Sequence, residues 1–286
     1  MSTLRGVRPS QFVFSLLASY GARRGGALPG SWFVRALEPL GLRPDTVRQT
    51  LFRMTRSGSL RARGVGSYKL YELAPHGRAG TDAGTARLLR EPDPEWDGKW
   101  VVLSYRFDGE DTELRERTSD LLRLEGFANL SPGTWLHPRD CTERLMPALA
   151  DSRAMDNVQV FRAERIGGLS DRALLRRHWD LEALGAGYRG FLRRFGPCGR
   201  RRWDRRDLSE AVVVRFAFVM SYLTTAWRDP GLPLQLLPHT WPAVRAQALA
   251  ARLYRILDQP LMAYGDSIVA ALDLPAGVAP RGTKSA

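Results

Sequence analysis

Between Pro44 and Gly58 the chain writes a short amphipathic helix with two dissimilar faces. Val47, Leu51 and Met54 recur at helical spacing and must face inward, Asp45 after Pro44 is the expected N-cap, and Gly58 is the expected stop. The opposite face displays Thr46, Gln49, Thr50, Arg53 and Arg56, with Arg48 at its shoulder. Residues 59–63 and 67–72 then alternate as two strands around a Gly64, Val65, Gly66 turn. Leu60 and Ala62 fall on one face, Arg61 and Arg63 on the other, and Lys69 lies across the hairpin. Upstream, Phe12, Leu16, Leu17 and Tyr20 form one stripe of a helix from about Ser10 to Ala22. A second helix begins near Ser31 with Trp32, Phe33, Val34 and Leu37, and is closed by Pro39 and Gly41. Three short helices followed by a basic hairpin make a winged helix-turn-helix, in which the third helix enters a major groove and the wing follows the backbone.

Charge points the same way. Residues 1–90 hold fifteen Lys or Arg against four acids, a net +11 out of +13 for all 286 residues, while the remainder is nearly neutral. An arginine-rich composition alone would spread along the chain, so a polyanion partner for this segment is indicated. On the third helix, Arg48 and Arg53 can make bidentate bonds to guanine and Gln49 to adenine, while Thr46, Arg56, Arg61, Arg63 and Lys69 can hold phosphates. The helix N-terminus itself favours an anion.

Residues 1–75 are therefore read as the DNA-binding domain and 76–95, rich in Pro, Gly, Asp and Thr around Leu88 and Leu89, as a linker. Residues 96–172 alternate as strand (99–107), helix (112–126), extended piece (130–136), helix (142–153) and strand (158–166), which suggests a ferredoxin-like α+β domain. Residues 173–286 read as a helical C-terminal domain. In it Leu181, Leu184, Tyr188, Phe191 and Phe195 recur at three- and four-residue steps, 211–227 is a buried helix, and Pro242 to Leu257 is the last long helix. The tail after 274 is expected to fray. The fold class is α+β.

Several function classes find no support. Cys141 and Cys198 are too few for a disulfide framework and lack zinc-site spacing, so free thiols are expected. Uncharged runs fall short of the roughly 20 residues that span a bilayer, and the apolar stretch from Gln11 to Ala22 is diluted by Gln11, Ser15 and Ser19; a cytoplasmic protein with no membrane partner is expected. His76, His137, His178 and His239 are scattered, so no catalytic residues, metal ligands or cofactor are assigned. Asp108, Glu110 and Asp111 form an acidic turn that could hold magnesium, and equally a solvated loop.

Three groups of motifs follow one another along the chain: Val47 through Met54 with Gly58 and Leu60; Trp96-Asp97-Gly98-Lys99-Trp100 with Gly126-Phe127 and Pro132-Gly133-Thr134-Trp135; and Trp179-Asp180-Leu181 with Tyr188, Phe191, Asp229-Pro230-Gly231-Leu232-Pro233, Leu236-Leu237-Pro238, Trp241-Pro242 and Leu253-Tyr254. In these motifs and their order the chain resembles the PaaX type of bacterial transcriptional repressor. At the wing tip the neutral Gly64-Val65-Gly66 departs from the paired arginines usual in the family. The resemblance implies a homodimer that binds double-stranded DNA at an inverted-repeat operator of a phenylacetate catabolic operon. It further implies release by an aryl-acetyl-CoA effector, and it implies no enzymatic activity.

Such an effector needs cations for its phosphates and a dry slot for its acyl group. Arg193, Arg194, Arg200, Arg201, Arg202 and Trp203 are the expected effector-binding residues, with Arg205 and Arg206 alongside and Tyr188 and Phe191 nearby. Trp96, Trp100, Trp135 and Trp179 could line a pocket, or pack as core. Two alternatives remain: a metal-dependent nuclease using the middle domain, and a DNA-binding regulator with no small-molecule effector.

Overall fold

The structure, a computed structural model, describes residues 7–89, 95–107, 111–151, 154–204, 206–275 and 277–282. It mixes helices with two small sheets and is of the α+β class. Two compact units form, each discontinuous in sequence: Met1–Arg90 with Phe191–Thr224 and Gln247–Ala286, and Glu91–Gly190 with Thr225–Ala246.

In the first unit, α1 (Pro9–Leu16) passes into a π turn over Leu17–Gly21, and together they bury Phe12, Val13, Leu16, Leu17 and Tyr20. After β1 (Leu28–Pro29), α2 (Gly30–Ala36) buries Trp32, Phe33 and Ala36. Next come α3 (Pro44–Arg56), β2 (Leu60–Val65), β3 (Tyr68–Leu73) and α4 (Pro75–Leu89), the last occupying most of the segment expected as a linker. The strands form an antiparallel sheet in the order β1-β3-β2.

The core of these N-terminal elements is completed from the far end of the chain. Val212 and Phe216 of α9 (Leu208–Ala226) and Leu261, Tyr264 and Ile268 of α11 (Asp258–Leu272) belong to the same cluster as Phe12, Leu16, Trp32, Val47 and Leu51. Tyr20 stacks on Trp32 with ring centroids 4.8 Å apart, and Trp32 Nε1 donates to the Gly265 carbonyl at 3.1 Å. Gly265 is required here because a Cβ would lie 2.3 Å from the Tyr20 ring. Polar contacts fix the register. Tyr20 donates to Asp266 at 2.9 Å, Arg24 meets Asp266 at 2.5 Å, and Arg23 meets Asp258 at 2.5 Å.

Helix α9 is long and apolar enough to cross a membrane by length and composition. Val212, Phe216 and Phe218 are nevertheless buried within the protein, and so is Arg215. Its guanidinium stacks 4.3 Å over Tyr254 and donates to the Tyr254 carbonyl at 2.9 Å. Burial lowers its pKa, partly offset by Tyr254 and Asp258. The sequence reading ended the last helix near Leu257; α10 covers Pro242–Ile256, and α11 follows as a further helix.

The second unit contains β4 (Lys99–Tyr105), α5 (Thr112–Leu124), β5 (Ala128–Ser131), β6 (Thr134–His137), α6 (Thr142–Asp151) and β7 (Val158–Glu164). Its sheet runs β5-β6-β4-β7, antiparallel throughout. The single extended piece expected at 130–136 is two strands. Gly133 (φ +76°) turns the chain between them, where a Cβ would lie 2.6 Å from the Tyr105 carbonyl oxygen. Val101, Leu103, Leu122, Phe127, Trp135, Leu145 and Leu149 form the core.

Helix α7 (Asp171–His178) and the start of α8 (Leu181–Arg200) complete this unit with the 225–246 segment. Trp96, Trp100 and Trp179 pack edge to face and tilted at 5.6 and 6.1 Å, while Trp135 lies under Arg123. Tyr188 donates to Asp229 at 2.7 Å. Asp108 and Glu110 lie outside the described residues; Asp111 precedes α5. Cys141 and Cys198 are free, and burial pushes the Cys141 thiol up to about 12.

Two outcomes follow from this packing. Gly265→Ala should lower stability by about 1–3 kcal/mol, because the Tyr20 ring cannot yield without disturbing Trp32; the midpoint of chemical denaturation measures this. Burial also holds His137 neutral, its pKa pushed down to about 4, with Arg144 and Arg139 reinforcing the effect against a hydrogen bond to the Arg139 backbone. Unfolded histidine titrates near ~6.5. As pH falls from there toward 4, the unfolded chain takes up a proton that the folded one refuses. Stability is therefore full above that window and decreases through it, by at most about 3 kcal/mol. Denaturation of His137→Asn across the same pH range should lack this component.

Candidate nucleic-acid interface

Pro44 occupies the first turn of α3, where its missing N–H costs nothing, and Arg43 supplies the extended cap residue. Asp45, expected as the cap, instead sits inside the first turn, where its charge suits the helix dipole. The other end closes through Gly58 (φ +73°). Ser59 N–H donates to the Met54 carbonyl at 2.9 Å and Gly58 N–H to that of Thr55 at 3.1 Å, which stops the helix and aims the chain into β2.

Val47, Thr50, Leu51 and Met54 form the buried face of α3. Thr50 was expected on the outer face; its hydroxyl is instead buried and donates to the Thr46 carbonyl at 2.7 Å. Thr46 is half-buried, while Arg48, Gln49, Arg53 and Arg56 are exposed along one outer stripe. Arg48 meets Asp45 at 2.9 Å, and with both side chains well exposed the pair contributes little and can open to a stronger anion.

The hairpin turns at Gly66 and Ser67, two residues later than expected, because Gly64 pairs with Lys69 and Val65 with Tyr68. That register puts Arg61 opposite Glu72 and Arg63 opposite Leu70 on one face. Lys69 lies on the other face, with its ammonium 5.8 Å from the centre of the Tyr71 ring. The three bases thus approach from two sides of the ribbon.

One residue of the outer stripe was missed: Phe52 is 61% exposed on α3. Its helical spacing from Arg48, Gln49 and Arg56 was the available signal.

The expected effector arginines are exposed at the end of α8 and in the loop after it. Arg201 already meets Glu210 at 2.6 Å and Asp207 at 2.8 Å and stacks 4.3 Å from the Trp203 ring centre. Its guanidinium is thus already held by two acids. Arg194 packs over Phe195, Arg193, Arg200 and Arg202 are exposed, and Tyr188 and Phe191 are buried. Arg205 lies outside the described residues. In the second unit, a cleft of about 750 Å³ places Arg115 and Arg123 beside Tyr105, Phe127 and Trp135.

Three family models match the chain in order. A PaaX-like protein model covers residues 8–77, the PaaX protein central Cas2-like domain covers 93–175, and the PaaX-like protein C-terminal domain covers 179–266. The chain belongs to the PaaX family. It is 27% identical over 279 residues to the transcriptional repressor PaaX of Escherichia coli (strain K12), spanning 94% of this chain and 88% of the relative. Among solved structures, the uncharacterized protein Rv0674 from Mycobacterium tuberculosis superposes with a TM-score of 0.60 at 21% identity, covering 89% of this chain and 96% of that one. The latter likeness concerns the fold alone.

Proposed function

We propose that this protein is a cytoplasmic transcriptional repressor of a phenylacetate-type catabolic operon that binds double-stranded DNA and catalyses no reaction. The observation that carries the reading is the outer stripe of α3, where Arg48, Gln49, Arg53 and Arg56 stand exposed on a helix locked by Val47, Leu51 and Met54. The succession α1, α2, α3 and the β1-β3-β2 sheet supports a winged helix-turn-helix, with α3 as the recognition helix and the β2-β3 hairpin as the wing. The β5-β6-β4-β7 order with α5 and α6 supports a ferredoxin-like middle domain. A relative named as a transcriptional repressor, aligned over nearly the whole chain, supports the sign of control.

The working form is a homodimer, whose two-fold symmetry sets two recognition helices about one helical turn apart on an inverted repeat. Arg48, Gln49 and Arg53 read bases; Thr46, Arg56, Arg61, Arg63 and Lys69 hold phosphates. An aryl-acetyl-CoA thioester releases the dimer by binding a DNA-incompetent arrangement more tightly. Its phosphates are held by Arg193, Arg194, Arg200 and Arg202 beside Trp203, with Arg201 as a positioning residue. The cleft lined by Arg115, Arg123, Phe127 and Trp135 supports a second location, since it joins cations to aromatic rings; Glu116 and Asp120 share it, and Asp120 meets Arg123 at 2.7 Å, a pair that the effector's phosphates would have to open.

Fluorescence anisotropy on a duplex from the protein's own promoter region, with and without phenylacetyl-CoA and free phenylacetate, tests the reading. Release by the thioester alone is expected, and absence of sequence-specific binding overturns it. Loss of release in Arg200→Ser/Arg202→Ser or in Arg115→Ser/Arg123→Ser decides between the two locations. DNA and RNA incubated with the protein and magnesium should stay intact; cleavage would establish the nuclease alternative. Arg53→Ala should cost roughly 1–3 kcal/mol at the operator and much less on random DNA. Arg61→Ala with Arg63→Ala should weaken both and flatten the slope of log K against log salt by about 0.9 per lost phosphate contact.

A further inference from the structure

Phe52 stands where the repressor reading has no use for an aromatic ring. It is 61% exposed, while its neighbours Leu51 and Met54 are 1% and 5% exposed and already close the core beneath α3. Phenylalanine is a weaker helix former than Arg, Gln or Lys, so the helix itself gains nothing from it at an outward position. The residues sharing its stripe, Arg48, Gln49 and Arg56, are polar and exposed, as is Arg53 beside it. A ring framed by such side chains is too small an apolar surface to dock another protein. It matches one apolar feature of small size set among hydrogen-bonding groups. On a major-groove floor that feature is the C5 methyl of thymine, the apolar group distinguishing A·T from the other pairs.

We propose that Phe52 contacts a thymine methyl in the major groove and makes each operator half-site require thymine at that position. The inference rests on the DNA-binding reading above and adds to it an apolar specificity determinant beside the hydrogen-bonding readers Arg48, Gln49 and Arg53. Binding removes both ring and methyl from water, so the contribution comes from apolar burial and is insensitive to salt, unlike the phosphate contacts.

The test uses the full chain and an operator located by footprinting on its own promoter region. Each thymine of one half-site is replaced in turn by deoxyuridine, which keeps base pairing and loses only the methyl. Wild-type protein should bind roughly fourfold more weakly (about 0.8 kcal/mol) at one or two positions. Phe52→Ala should bind the thymine and deoxyuridine duplexes equally at those positions, and Phe52→Leu should keep part of the preference. The exposure of Phe52 leaves both variants folded. If wild type binds its operator specifically while Phe52→Ala shows the same deoxyuridine sensitivity at every position, the proposal is overturned and the repressor reading stands. If wild type shows no specific binding to any promoter duplex, the repressor reading fails and takes this proposal with it.

Discussion

The closeness of α11 to the Tyr20–Trp32 stack governs the first unit. A glycine at position 265 lets the helix backbone come within van der Waals range of the Tyr20 ring, and its carbonyl then accepts the Trp32 indole N–H. Once that contact is made, Leu261, Tyr264 and Ile268 fall into the cluster that also holds Val47 and Leu51 of α3. Helix α3 thus packs in one core with residues more than two hundred positions away. Seventy residues at the start of the chain bury too little surface to be comfortably stable alone, and the borrowed helices supply the missing apolar area.

The same docking refines the charge argument. Arg23 and Arg24 are matched by Asp258 and Asp266, acids from the C-terminal segment that cannot be paired with them by reading the sequence in order. The basic excess of the first ninety residues is therefore lower in the folded protein than in the linear count. Among the bases that remain are Arg48, Arg53 and Arg56 of α3 and Arg61, Arg63 and Lys69 of the hairpin.

Local patterns were legible where one face of an element is buried. The stripe Val47, Leu51, Met54 gave α3 and its outer arginines directly, and alternation gave the hairpin and strands β4 and β7. Errors arose where tertiary contact overrides local preference. Thr50 looks polar but satisfies its hydroxyl within the helix, so it can be buried at little cost. The hairpin turn lies at Gly66 and Ser67 and not at Gly64-Val65-Gly66 because Gly64 and Val65 continue the ladder with Lys69 and Tyr68, which the glycines alone do not reveal. Helix α11 was not read from the sequence; its Pro260 lies in the first turn, where a proline is tolerated, and its Gly265 is needed for packing. The acids that occupy Arg201 could not be assigned to it from spacing alone.

The discontinuous first unit also has a temporal meaning. Residues that present α3 leave the ribosome about two hundred positions ahead of the helix that closes their core. Until α11 emerges, Tyr20, Trp32 and Phe216 have an unfinished apolar surface, and the second unit, whose segments end at Ala246, can assemble in the meantime. Loop closure between positions 20 and 265 has to wait until α11 has been made, so the frame behind α3 closes after the segments in between have been synthesised. A nascent chain that stops short of α11 would carry the positive charge without the packing that holds α3 in place.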